Sequence, residues 1–236
     1  MSRVVNLTKS QSALGRLQEM RDHGGPAETR GLTDDIILDF LEDRQDLATA
    51  IDRGYEAFLG FRESHPDFLA LDERVQILES QHGLTNFYRP EGVNPYVAVA
   101  AAGPWIVTLK GAVVYDCGGY GMLGLGHAPV AVLDAMNKPH VMANVMTPSL
   151  SQHDLVERLK EEIGHSRPGG FPFATFICMN SGSEAMTVAS RIADINTRKL
   201  TDPGGRYEGR RTCGLTLTGS FHGRTERPAR FSDSTR

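Results

Sequence analysis

Between Phe173 and Asn196 the chain changes its apolar period. Phe173, Phe176, Ile177, Cys178 and Met179 form a short, partly β-branched run of the kind that makes a buried strand. It stops at Asn180-Ser181-Gly182-Ser183-Glu184, after which Ala185, Val188, Ala189 and Ile192 recur at helical spacing. The reading is strand, tight turn, helix. Ser181 is a good helix N-cap, and Glu184 three residues on completes a capping box. Gly182 lets the backbone come close to a ligand, Ser183 adds a hydroxyl, and the positive end of the helix dipole favours an anion such as phosphate. The same residues also suit a helix cap with no ligand, so spacing alone leaves both readings open.

A second stretch has the same form. Thr212 to Thr218 reads as a buried strand that ends at Gly219-Ser220-Phe221-His222-Gly223-Arg224-Thr225, an aromatic and an imidazole in a glycine-framed turn. Strand, helix and strand make a βαβ unit, with both turns at one edge of a parallel sheet, where open α/β folds bind ligands.

At these residues the chain resembles the class III pyridoxal-phosphate aminotransferases, of fold type I. The matching pieces are Asn180-Ser181-Gly182-Ser183-Glu184-Ala185, Gly219 to Thr225, and upstream Tyr115-Asp116 with Gly124-Leu125-Gly126-His127, in the family's order. The resemblance covers about Asn94 to the C-terminus, and residues 1 to about 80 lie outside it. It implies an α/β fold: part of the mainly parallel-sheet large domain of a fold type I transferase, preceded by a helical N-terminal extension. The expected domains are residues 1–85 and 86–236. It further implies pyridoxal 5'-phosphate as cofactor, with Ser181, Gly182 and Ser183 at the phosphate, Phe221 stacked on the ring and His222 supporting the same pocket. The implied reaction is a ping-pong transfer of an amino group from an amine or ω-amino acid donor to an oxo acid such as 2-oxoglutarate, by a protein that is a homodimer when complete.

In that family the ring-nitrogen aspartate and the Schiff-base lysine come later in the chain. The lysines here are Lys9, Lys110, Lys138, Lys160 and Lys199, and Lys199 alone follows the phosphate turn, at the far end of its helix. None of the five is assigned a catalytic role. The expectation is therefore the N-terminal part of an aminotransferase, inactive as the chain stands. Two other readings stay open: a dinucleotide-dependent oxidoreductase using Gly119, Gly121 and Gly124, which formally satisfy GxGxxG, and a non-catalytic protein that keeps the fold. The dinucleotide reading lacks the helix directly after the glycines and an acidic residue near Asn144.

With 236 residues there is ample material for a core. The net charge of −4 is mixed along the chain, which advertises no nucleic-acid partner, and no apolar run is long enough to span a bilayer. Cys117, Cys178 and Cys213 have no CxxC spacing and suit a reducing, cytoplasmic compartment, the latter two as core residues of strands. Arg3, Lys9 and Arg16, with several serines and no acidic residue before Glu19, are the weaker sign of an organellar transit peptide. His127, His140 and His153 have no metal-ligand spacing.

For the rest, Met1 to Gly31 reads as a loose segment with at most one short helix. Thr33 caps a helix through Ile36, Ile37, Phe40 and Leu41. Leu47 to Leu59 continues the helical spacing after a break, and a further helix runs from Pro66 to Gly83. Phe87 to Pro95 is a loop. Trp105 to Leu109 and Ala112 to Tyr115 form a hairpin about Lys110-Gly111, Pro129 opens a helix, and Ser151 caps another that closes at Gly164.

Overall fold

The computed structural model describes residues 2–85, 92–118, 124–141, 144 and 146–233. They form two compact units, residues 1–140 and 141–236.

In the first unit, α1 (Ser2–Arg21) is followed by α2 (Asp34–Leu41), α3 (Gln45–Ser64), α4 (Pro66–Ala70) and α5 (Glu73–Gln81). Helix α1 has 20 residues where the sequence predicts a loose segment. Ala13, Leu17 and Met20, spaced four and three apart, place one buried stripe against α3. Such a helix is stabilised by tertiary packing rather than by propensity, so a mostly polar sequence hides it. The helix predicted from Pro66 to Gly83 is divided in two, because Leu71 and Asp72 are extended (ψ 155° and 146°).

Three strands follow: β1 (Ala98–Ala102), β2 (Trp105–Thr108) and β3 (Val113–Tyr115), antiparallel in the order β1-β2-β3. The predicted hairpin is β2 and β3, in register at Trp105↔Tyr115 and Ile106↔Val114. Its turn closes with the Gly111 amide donating to Thr108 O at 3.0 Å, and Gly111 has φ +72°, the left-handed region glycine reaches without strain. All of β2 is buried, and α3 lies against β1 and β2. A Cβ on Gly54 would come within 2.7 Å of Val107 Cγ1, so it is a glycine that lets helix and sheet approach. Leu47, Ala50, Ile51 and Phe58 of α3 share one core with Trp105, Val107, Leu109 and Val113. Each fully buried side chain of this kind contributes roughly 1.5–3 kcal/mol. The front helices and the sheet are thus one packed body within the first compact unit, residues 1–140. After the sheet, Pro129 precedes α6 (Val130–Met136), as predicted.

The second unit holds α7 (Leu150–Gly164), α8 (Gly182–Thr201) and α9 (Glu226–Phe231). The cap of α7 is Ser149, not Ser151: its hydroxyl accepts from the Gln152 amide, while the Gln152 side chain accepts from the Ser149 amide. Helix α8 stands where the sequence places it.

The predicted strands on either side of α8 do not form. Phe173–Met179 and Thr212–Thr218 carry no strand pairing, and among the described residues the sheet is antiparallel and lies wholly in the first unit. The βαβ unit and parallel sheet expected from sequence are therefore absent from the described residues. An extended segment becomes a strand only when a neighbour completes its backbone ladder. Neither segment has one, and their apolar residues face outward: Leu215 is 95% exposed, Leu217 81% and Ile177 62%. Cys178 and Cys213, expected in the core, are exposed for the same reason.

Candidate functional site

The site is built at the N-terminus of α8. Ser181 is the N-cap, extended at φ −148° and ψ 157°, and its side chain accepts from the Glu184 amide at 3.2 Å. The predicted return arm lands one residue earlier than in a capping box: Glu184 Oε2 accepts from the Asn180 amide at 3.0 Å. The amides of Gly182 and Ser183 open the first turn and have no intrahelical acceptor. The space a Gly182 Cβ would occupy is empty to 4 Å. Two uncommitted donors, an open approach and the positive end of a 20-residue helix dipole are what an anion requires.

The turn of Phe221 and His222 comes to this point. The Arg224 amide donates to Ser183 Oγ at 3.3 Å, so the hydroxyl keeps its own proton to give elsewhere. Gly223 has φ +119°, and a Cβ there would lie 2.1 Å from Ser183 Oγ and 2.9 Å from Ser183 Cβ. No other residue type allows the two turns to approach so closely. Phe221 is exposed on one flank, and the Arg224 guanidinium carbon lies 5.8 Å from its ring centroid. Through the Arg224 amide the backbone of this turn lies against Ser183 at the helix N-terminus. His222 is half-buried, and its backbone amide donates to Ser232 Oγ at 2.8 Å. Of the residues predicted for the site, Ser181, Gly182 and Ser183 thus stand together on α8, and the turn of Phe221 and His222 is joined to them through Gly223 and Arg224.

Sequence reading missed α9 and the residues after it. Among the described residues they carry many of the hydrogen bonds that hold the second turn, to Ser232 and Asp233 among others. The signal available was Thr225-Glu226, an N-cap type followed by an acidic first turn, just past the glycine-framed turn.

The lysines have other partners or places. Lys110 is buried in the first unit, where Nζ donates to Leu71 O at 2.7 Å and Leu69 O at 3.2 Å, the last carbonyls around α4. Burial pulls its amine below the ordinary value, with Glu73 and Asp72 opposing. Lys160 pairs with Glu157 on α7 at 2.8 Å. Lys199 follows Ser183 by sixteen residues on α8, about 24 Å along the axis at 1.5 Å per residue.

The upstream motif is also held together, within the first unit. His127 Nε2 lies 2.9 Å from Asp116 Oδ2, and Asp116 Oδ1 accepts from the Gly118 amide. Gly119 and Gly121 of the formal GxGxxG lie outside the described residues. Among the described residues, Gly124 is followed by an antiparallel bridge between Gly103 and His127, and α6 begins at Val130. Among the described residues, no group of three His, Cys, Asp or Glu side chains is arranged to hold a metal ion, and no helix is long and apolar enough to cross a membrane.

No curated protein and no solved structure matches the chain. The family model described as Aminotransferase class-III matches residues 87–235, which contain β1 to β3, α6 to α9 and both turns of the site. The match spans more than half of the chain, and the chain belongs to the class III aminotransferases.

Proposed function

We propose that the turns at Ser181 and Phe221 form the phosphate end of a pyridoxal-phosphate site, in an aminotransferase that moves an amino group from an amine or ω-amino acid to an oxo acid such as 2-oxoglutarate. The observation that carries this reading is the bond from the Arg224 amide to Ser183 Oγ, which brings together the two turns that the sequence singles out. The residues fit the phosphate. Gly182 leaves the approach open, and the Gly182 and Ser183 amides and the Ser183 hydroxyl are donors. Phe221 offers a ring face at the same place, and His222 supports the pocket through the turn it sits in.

Pyridoxal phosphate, when bound, supplies the electron sink that lets amino and oxo groups change places. The part this chain takes is to bind and orient. The helix terminus and the Ser183 hydroxyl fix the phosphate, and the aromatic flank limits the tilt of what is attached to it. Lys199, the lysine that follows the phosphate turn, lies at the far end of α8, about 24 Å from Ser183 along the axis. A homodimer and a cytoplasmic location go with this reading; the three exposed, free cysteines suit a reducing compartment.

The test is a titration of the purified chain with pyridoxal phosphate and, separately, with pyridoxal, followed by fluorescence and absorbance. The expected result is at least tenfold tighter binding of the phosphorylated compound, with inorganic phosphate competing. Equal affinity for the two would place recognition somewhere other than the α8 terminus.

A further inference from the structure

A third element holds the site. Helix α9 and the residues after it run back along the Phe221 turn and bond to it at successive points. The Gly219 amide donates to Asp233 Oδ2 at 2.8 Å, and the Asp233 amide donates to Ser220 O at 2.9 Å. The hydroxyls of Thr216 and Ser220 both donate to Phe231 O, at 2.8 and 3.2 Å. The last point is Ser232. Its Oγ accepts from the His222 amide at 2.8 Å and donates toward Gly223 O at 3.0 Å and Pro228 O at 3.1 Å.

Ser232 is fully buried, and its neighbours Gly223 and Pro228 are buried. One hydroxyl therefore fixes the backbone on both sides of the bond between His222 and Gly223. Gly223 in turn has its Cα hydrogens against Ser183, and the next amide, that of Arg224, is the one that bonds to Ser183 Oγ. The chain of contact runs Ser232, His222-Gly223, Arg224, Ser183. We infer that Ser232 is a positioning residue for the anion site: by holding the Phe221-His222-Gly223 turn it fixes the Arg224 amide on Ser183 Oγ, and so aims the Ser183 hydroxyl at a phosphate.

This rests on the reading of the α8 terminus as a phosphate site, and it adds a residue that touches neither the phosphate nor the ring. A hydroxyl whose oxygen already accepts from a fixed amide has its proton confined to the remaining directions. Without Ser232 the His222 amide and Gly223 carbonyl lose their buried partner, the turn relaxes, and the Ser183 hydroxyl rotates freely. The α8 amides stay in place, because α8 does not depend on the turn for its first hydrogen bonds. Ser232 therefore acts on affinity by degree.

The experiment uses the full chain, wild type and Ser232→Ala, with inorganic phosphate and pyridoxal phosphate as probes, and follows backbone amides by nitrogen-15 NMR together with thermal melting. The expected result for Ser232→Ala is a loss of about tenfold in affinity for both probes, with shifts at the His222, Gly223 and Arg224 amides before any ligand is added. Asp233→Ala changes a partly exposed side chain. It releases the Gly219 end of the same turn and is expected to weaken both probes two- to fivefold. Arg230→Ala, on the exposed face of α9, is expected to change neither. Wild-type affinity in Ser232→Ala with an undisturbed Arg224 amide overturns the role given to Ser232. A loss shared equally by Arg230→Ala also overturns it, since that would reflect stability alone. Failure of the wild type itself to bind either probe sinks the phosphate reading instead, so the two failures are distinguishable.

Discussion

Gly223 lies against Ser183 so closely that a methyl group on it would fall 2.1 Å from the serine oxygen. This contact joins two turns that are forty residues apart and makes one site of them. It also ties the site to a backbone conformation, φ +119°, that residues with a side chain rarely adopt.

Replacing Gly223 by alanine is therefore expected to separate the turns. The strained backbone alone costs on the order of 1–3 kcal/mol, and the methyl forces Arg224 off Ser183. Phosphate affinity should fall tenfold or more while α8 keeps its helicity. Circular dichroism with a phosphate titration checks this, and unchanged affinity would remove the contact from the account.

Ser183→Ala takes away a donor without touching the helix cap, which belongs to Ser181. Binding of pyridoxal phosphate is expected to weaken by about 1–3 kcal/mol, the usual worth of a hydrogen bond to a charged group. The same change should leave pyridoxal binding as it was. A parallel loss for both compounds would mean that Ser183 acts through the fold.

The exposed segment after Arg211 gives a test of the fold. Leu215→Ser should change stability by no more than about 0.5 kcal/mol, because the side chain is 95% exposed. A destabilisation of several kcal/mol, read from denaturant melts, would show Leu215 packed as the buried strand residue its sequence suggests.

A pH effect is expected in the first unit. Burial alone would push the Asp46 carboxyl up, but hydrogen bonding and the charge of Arg44, with Trp105 and the Leu47 amide, hold it below the usual carboxylate value. Arg44 Nη2 lies 3.0 Å from Asp46 Oδ2. A lowered folded-state pKa adds stability that is present above the ordinary value of 3.8 and lost as pH falls through the folded value. Asp46→Asn should lower stability at neutral pH and flatten the acid limb of the melting profile. An unaltered acid limb would show that the pair contributes nothing.

How much of this was legible in the sequence depends on what each element needs. Helix α8 and its Ser181 cap were readable because period and cap are local properties of a few neighbouring residues. The β2–β3 hairpin was readable because Lys110-Gly111 sits between two alternating runs. Helix α1 was not, since its stripe of Ala13, Leu17 and Met20 is narrow and its stability comes from α3. The runs at Phe176 and Leu215 have strand composition, but composition cannot supply a pairing partner, and none is present among the described residues. At the site, the residues that present donors were visible as motifs, while Ser232, which works through three contacts to residues four to ten positions away, left no motif to find.

The most direct measurement of the central claim is a nitrogen-15 amide spectrum of the chain titrated with inorganic phosphate. If the α8 terminus holds the phosphate, the Gly182, Ser183 and Arg224 amides shift together, saturably and with one affinity, while those of the first unit stay still. Shifts confined to other residues, or none below concentrations at which salt alone acts, would contradict it.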